Sequence, residues 1–300
     1  MAEDAHLPPL PGAAPVTELR GDDKTGGSTR FAPRGVPVIT GINRVGLLAL
    51  YMKEVRRFLK VQTQTIWAPA FTTLLFLAIF TVALGREGRM VLGVPFATFV
   101  APGLIVMAMM QNAFANSSFS LLSGKMQGTI IDLLMPPLSS GELMAGILAA
   151  AITRAIGVGL AVALAMAFWP GVSLAMTHPW AVVWFGLMGA LMLATIGLAT
   201  SIWAEKFDHN AAVTNFIIAP LSLLSGTFYV IDNLHGVAQA ISRANPFFYV
   251  ISGFRYGFLG GSDIGEAQHV WAAAGGLLVL NAALMLGVYA LLRSGWKLKS

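Results

Sequence analysis

Ala155 to Ala204 reads AIGVGLAVALAMAFWPGVSLAMTHPWAVVWFGLMGALMLATIGLATSIWA, fifty residues without one Asp, Glu, Lys or Arg. A helix rises about 1.5 Å per residue and the hydrocarbon of a bilayer is about 30 Å thick, so about 20 apolar residues cross it once. Fifty residues hold two crossings. Trp169-Pro170-Gly171 and His178-Pro179-Trp180 mark the break between them, because Pro and Gly stop helices and Trp favours the membrane interface.

The rest of the chain repeats the pattern. Residues 61–85, 90–124, 209–231 and 267–292 are also free of charge, in runs of 25, 35, 23 and 26 residues. Each holds one span. Six spans are expected at about 66–85, 97–122, 145–168, 181–203, 211–230 and 270–292, and the fold class is an all-α membrane protein. Composition agrees: 56% of residues are hydrophobic, 11% are charged and the mean hydropathy is +0.71, whereas soluble domains carry about 25% charged residues.

An even number of spans puts both ends on one side. Fifteen Lys and Arg fall on the side of the termini and four (Arg86, Arg89, Arg243, Arg255) on the other, so the termini are expected in the cytoplasm. The pI near 9.7 thus reflects membrane-flanking cations and contact with anionic lipid, and no nucleic-acid partner is expected. Cysteine is absent, which excludes disulfides and thiolate metal sites. Residues 1–38 are rich in Pro, Gly and charge; they read as a disordered cytoplasmic arm and not as a secretory signal peptide.

Three segments do not span. Residues 43–62, NRVGLLALYMKEVRRFLKVQ, place Leu48, Tyr51, Met52, Val55, Phe58, Leu59 and Gln62 on one helical face, with Lys53, Arg56, Arg57 and Lys60 mostly opposite. That pattern predicts an amphipathic helix lying flat in the cytoplasmic interface, as an anchor or also as a docking surface. Residues 125–143 suggest a short apolar helix stopped by Pro136-Pro137, with Ser139, Ser140 and Glu142 placed to cap the next one. Such a helix either folds under its own bundle or is covered by a partner. Residues 232–262 hold two apolar pieces broken at Asn245-Pro246, which predicts a hairpin that enters the outer leaflet and returns, with Arg243 and Arg255 snorkelling to headgroups. The alternative for Arg255 is a bidentate pair with Asp232 or Asp263.

Catalytic chemistry is missing from the pattern. There is no HExxH, no GxSxG and no phosphate loop, and the five histidines have no metal-ligand spacing. No catalytic residue and no metal ligand is assigned. The spans carry no central acid of the kind an ion-coupled carrier needs. Arg154 is the one charge near a span interior; it either snorkels or pairs with an acid or a substrate phosphate. Gln111, Asn112, Asn116 and Asn215 are the candidate lining of a pathway. Met107, Met109, Met110 and Phe114 suit a lipid-like cargo, or else lipid contact and helix packing.

Three stretches resemble the bacterial ABC-2 type permeases, the membrane subunits of ATP-binding-cassette exporters: APGLIVMAMMQNAFANSSFS at 101–120, GTIIDLLMPPLSSGELMAG at 128–146, and LSGTFYVIDNL…NPFFYVISGFRYGFLG at 224–260. The resemblance covers roughly residues 43–297 and is nearest to the small permeases of drug, glycolipid and nodulation-factor exporters. It implies a permease homodimer bound to two copies of an ATPase that holds ATP and Mg, no cofactor on this chain, a location in the bacterial inner membrane, and outward movement of a glycolipid, lipid or drug. By its position, residues 43–62 correspond to the connecting helix and 63–297 to the transmembrane domain. Gly128, Thr129, Asp132, Leu133, Leu134 and Pro137 fall in the ATPase-coupling helix, where Ile131 stands in place of a frequent Glu. Asn245, Pro246, Tyr249, Arg255 and Tyr256 fall in the extracytoplasmic re-entrant hairpin. The alternatives are an ion-coupled secondary transporter and a lipid-modifying membrane enzyme.

Overall fold

A computed structural model describes residues 41–84, 90–231, 235–261 and 267–297. The arm at 1–38, Asp232 and Asp263 lie outside them. Five helices are long and apolar enough to cross a membrane: Thr63–Ala83, Phe96–Gln127, Ser140–Ala167, Pro179–Trp203 and Gln268–Ser294. They match five of the six expected spans. The first begins with a π-helical turn, Thr63–Trp67, and continues as α2, Ala68–Leu84; the others are α3, α5, α6 and α11 (Ala267–Ser294).

The fifth expected span differs. In place of 211–230 stands a broken helix: α7 (Phe207–Val213), a π-helical turn (Thr214–Ile218) and α8 (Ala219–Leu223), of seven, five and five residues. At about 1.5 Å per residue this is about 25 Å, short of a full crossing. The polar run Ser222, Ser225 and Thr227 turns the chain out of the helix. Ser222 donates to Ile218 O at 2.7 Å, Ser225 also bonds back to the helix end, at Ser222 O, and its hydroxyl lies 3.1 Å from that of Thr227. Such side chains offer the backbone an alternative to the helical ladder. One small addition to the all-α pattern is a two-stranded hairpin, β1 (Met90–Val91) and β2 (Val94–Pro95), paired Met90↔Pro95 and Val91↔Val94.

The centre of the bundle is α3 against α6 and α5. Small residues permit close approach between membrane helices. A Cβ on Gly197 of α6 would sit 2.6 Å from the Phe114 carbonyl oxygen of α3. Met109, Met110 and Phe114 are buried in this packing and Met107 is half-buried, so the Met and Phe stripe serves largely as helix-packing core.

The hairpin segment forms α9 (Val237–Ala244) and α10 (Pro246–Leu259). Asn245 makes the break: its side-chain oxygen accepts from Phe247 N at 3.0 Å, capping α10, and its amide donates to Leu221 O at 2.7 Å, holding the turn to α8. Tyr249 donates from its hydroxyl to Arg243 O at 2.8 Å, and Tyr256 stacks on His178. Arg255 does not snorkel. It is fully buried. Its Nε donates to Phe99 O at 3.1 Å, and one terminal nitrogen donates to Gly226 O at 2.9 Å and Thr227 O at 3.2 Å, with the guanidinium 3.9 Å over the Phe99 ring. The physical reason is that the bent 224–227 segment turns carbonyls out of the helical ladder, and a guanidinium fork reaches them and the Phe99 carbonyl of α3 at once. Arg243, by contrast, is exposed.

Two outcomes follow from this packing. Gly257 lies under α6, where an added Cβ would be 2.8 Å from Val182 N and 3.2 Å from His178 O. Backbone cannot give way as a side-chain tip does, so Gly257→Ala is expected to destabilise the detergent-solubilised chain by about 1–3 kcal/mol, read as a lower thermal unfolding midpoint. Arg255→Lys and Arg255→Leu are both expected to lose monodisperse protein on gel filtration. An ammonium cannot span three carbonyls, and each buried polar group left unpaired costs about 1–3 kcal/mol. A Lys variant as stable as the parent would show that the fork geometry is dispensable.

Candidate functional site

The α3–α5 connection is built from its caps. Gly128 ends α3 in the left-handed region (φ 71°), and Thr129 N donates back to Gly124 O at 2.9 Å. A short helix, α4 (Ile130–Leu134), follows. Its sides differ. Leu133 is buried, while Ile131, Leu134 and Met135 are 61%, 39% and 77% exposed. Gly128, Thr129, Asp132 and Pro137 are exposed as well. Of the two leucines paired in the sequence reading, Leu133 belongs to the core and Leu134 to the surface. The free apolar face is Ile131, Leu134 and Met135.

Ser139 and Glu142 form a capping box at the start of α5: Ser139 Oγ accepts from Glu142 N at 3.3 Å, and Ser139 N donates to the Glu142 carboxylate at 2.7 Å. The other carboxylate oxygen of Glu142 accepts from Asn43 N. Asn43 is itself the N-cap of α1 (Arg44–Leu59); its side-chain oxygen accepts from Gly46 N at 2.9 Å, and its amide donates to Pro137 O at 3.3 Å. One carboxylate and one amide therefore join the start of α1, the end of the α4 segment and the start of α5. Nothing in a single sequence signalled the Asn43 half of this joint; the Ser139–Glu142 spacing signalled the other.

The face that α1 packs on the bundle differs from the apolar face expected from its spacing. Its packed face is Leu50, Glu54 and Phe58, whereas Leu48, Met52 and Leu59 are exposed. The helix is rotated because Gly146 of α5 makes a groove for Leu50 (an added Cβ there would lie 2.8 Å from a Leu50 methyl), and because Tyr51 bonds Thr153 of α5 at 3.0 Å. Lys53, Arg56 and Lys60 remain exposed. Arg57 turns inward. It pairs with buried Glu54 at 2.8 Å and donates to Asn116 O of α3 at 2.7 Å.

Asn112, Asn116 and Ser120 follow at four-residue intervals, one stripe along α3. Asn112 donates to Ala108 O at 3.0 Å and accepts from Arg154 of α5 at 2.9 Å. Asn116 is 1% exposed, and neither atom of its side-chain amide has a partner; Ser120 Oγ and Arg154 Nε are likewise buried and unpartnered. Of the expected pathway residues, Asn112 meets Arg154, and Asn116 lies one turn further along α3, its carbonyl bonded by Arg57. Gln111 faces elsewhere, into a groove of about 250 Å³ shared with Ser118, Asn210 and Thr214, and Asn215 is exposed. A separate apolar crevice of about 300 Å³ lies among Met109, Leu160, Gly186, Phe254 and Phe258. Among the described residues no cluster of His, Asp or Glu has a metal-holding arrangement.

The arrangement has polar groups to hold a ligand and an apolar helix to meet a partner. Comparison with known proteins agrees. The family model described as "ABC-2 type transporter" matches residues 46–259. The chain is 33% identical over 258 residues to the inner membrane transport permease YadH of Escherichia coli K12, covering 85% of this chain and 98% of that one. It is 29% identical over 197 residues to nodulation protein J of Rhizobium leguminosarum bv. trifolii, covering 64% and 71%, and 24% identical over 230 residues to nodulation protein J of Rhizobium meliloti, covering 75% and 86%. A multi-pass helical bundle with a capped α3–α5 connection, an apolar α4 face and this extent of similarity is accounted for in one way: the chain belongs to the ABC-2 type transporter family.

Proposed function

We propose that the chain is the permease of an ATP-binding-cassette exporter, paired with a second copy of itself and with two ATPase subunits, and that it moves an amphipathic lipid-like or drug-like molecule outward across the inner membrane. The observation that carries this reading is the free face of α4. Three large apolar side chains, Ile131, Leu134 and Met135, stand exposed on a short helix at the basic end of the bundle, where Lys53, Arg56 and Lys60 also lie exposed. Positive charge favours the cytoplasmic side, and an apolar face in water calls for a partner. That partner is the ATPase, which brings ATP and Mg; this chain contributes no phosphate loop.

In this reading the broken 207–223 helix, with the chain that follows it, makes the sixth passage, and α9–α10 is a re-entrant hairpin at the outer end. A lid of this kind has to pack on protein, since non-helical backbone at membrane depth is tolerated only there. The capping of Asn245 on Leu221 supports it.

Ile131→Asp combined with Met135→Asp is expected to release the ATPase during co-purification while the permease stays folded, because an unpaired charge at an interface costs several kcal/mol; Leu133→Asp is expected to unfold the permease instead. Retention of the ATPase by the double variant would place the contact elsewhere. For topology, the absence of cysteine gives a clean background. Cysteines at His235 and Gly261, both exposed, are expected to react with an impermeant thiol reagent from the periplasmic side. Labelling of one from each side would mean that the segment crosses the membrane.

A further inference from the structure

Arg154 stands about 14 Å along α5 from Ala145, where the expected span begins, at about 1.5 Å per residue, and on the proposed topology this is within the cytoplasmic half of the bilayer. A cation at that depth is expensive and ordinarily sits against a counter-ion or a functional ligand. The nearby acid is already taken, since Glu54 pairs with Arg57. Arg154 is left with a neutral partner, the Asn112 side-chain oxygen, and among the described residues no carboxylate lies within ion-pair distance of it. Its charge and that of Arg57 oppose one another. Two guanidiniums and one carboxylate leave the cluster with a net positive charge.

The surroundings are equally incomplete. Asn116, one turn from Asn112, keeps a buried amide with both atoms unpartnered, and the Ser120 hydroxyl and Arg154 Nε lack partners too. Buried polar groups are ordinarily satisfied, so an unsatisfied set that includes an amide, a hydroxyl and a guanidinium nitrogen describes a place for something that accepts hydrogen bonds and carries negative charge. At the edge of this cluster Arg57 is 32% exposed in its side chain and Arg154 is half-buried.

We propose that Arg154, with Asn112, Asn116 and Arg57, forms a subsite for an anionic phosphate-class group, carried by an amphiphile that enters from the inner leaflet. This deepens the exporter reading and rests on it for the membrane side and for the group's being cargo. Arg154 supplies the charge, Asn116 and Ser120 supply neutral donors, and the Glu54–Arg57 pair holds α1 against α3 as the rim. The chemistry selects the headgroup. It is indifferent to the tails, which lie among apolar side chains in any case.

The test uses the full-length chain in a neutral detergent, without ATPase, and reads the thermal unfolding midpoint on titration with short-chain phosphatidylglycerol, with phosphatidylcholine of the same chain length, and with inorganic phosphate. The expected result is an apparent affinity for the phosphatidylglycerol at least fivefold tighter than for the phosphatidylcholine, abolished in Arg154→Gln and partly kept in Arg154→Lys. Asn116→Ala retains the charge and is expected to weaken the preference several-fold, which keeps the test open if Arg154→Gln does not fold. Equal response to the two lipids, or a preference that survives in Arg154→Gln, overturns the subsite. Displacement of phosphatidylglycerol by millimolar inorganic phosphate would assign the anion to a soluble source and overturn the amphiphile; no displacement supports it. The measurement needs no partner, so loss of the subsite leaves the exporter reading standing, and failure to find an ATPase leaves the lipid preference standing.

Discussion

A guanidinium held by three backbone carbonyls sits buried at one end of this bundle. Phe99, Gly226 and Thr227 each give their oxygen to Arg255, and they come from the start of α3 and from the bend after α8. Buried charge is tolerated where hydrogen bonds replace those lost from water. Here the cation in turn satisfies carbonyls that the bend removes from any helix. The bend, the tight seat of α10 and the position of the α3 start are therefore one arrangement. Take away the cation and the carbonyls of the bend lose their donor; straighten the bend and the cation loses two of its acceptors.

At the other end a carboxylate has the corresponding role. Glu142 closes its own helix cap and holds the backbone N–H of Asn43, while Asn43 reaches Pro137. The α4 segment is thereby tied to α1 and α5 together, through hydrogen bonds and not through apolar packing that slides. Lys125 adds a further connection by donating to Ile202 O and to Ala204 O at the end of α6, a position that favours a cation. At the surface nearby, Lys297 bonds Glu205 at 2.7 Å and holds the Glu205 carboxyl below its usual range.

Long charge-free runs made five spans legible, with ends correct to a few residues, because apolar length is a property of composition alone. The helix 207–223 was harder. Its sequence is apolar enough, yet Ser222, Ser225 and Thr227 end it early, and hydropathy does not register a hydroxyl that bonds its own backbone. The rotation of α1 was not legible either. Both of its candidate faces carry apolar residues, and the choice between them is made by Gly146 of α5, about a hundred positions away. Arg255 and Arg57 were read as membrane-flanking cations because charge in a greasy segment normally seeks water; what overrode this was a supply of free carbonyls, which exists only after folding. Asn112 and Asn116 were singled out for polarity alone, and the association of Asn112 with Arg154 came from the α3–α5 packing.

The two π-helical turns, Thr63–Trp67 and Thr214–Ile218, have a consequence for how the chain is compared with its kin. Such a turn is an α-helix carrying one residue more than its pitch requires. Side chains beyond it are rotated by about 100° relative to an uninterrupted count, at 3.6 residues per turn. A helical wheel drawn through Trp67 or Ile218 mixes two phases and blurs any stripe. An alignment gap of one residue at either place would then be a change of phase and not the loss of a turn, and a single-codon insertion or deletion is the smallest genetic step that re-aims one half of a span while leaving its two ends where they were.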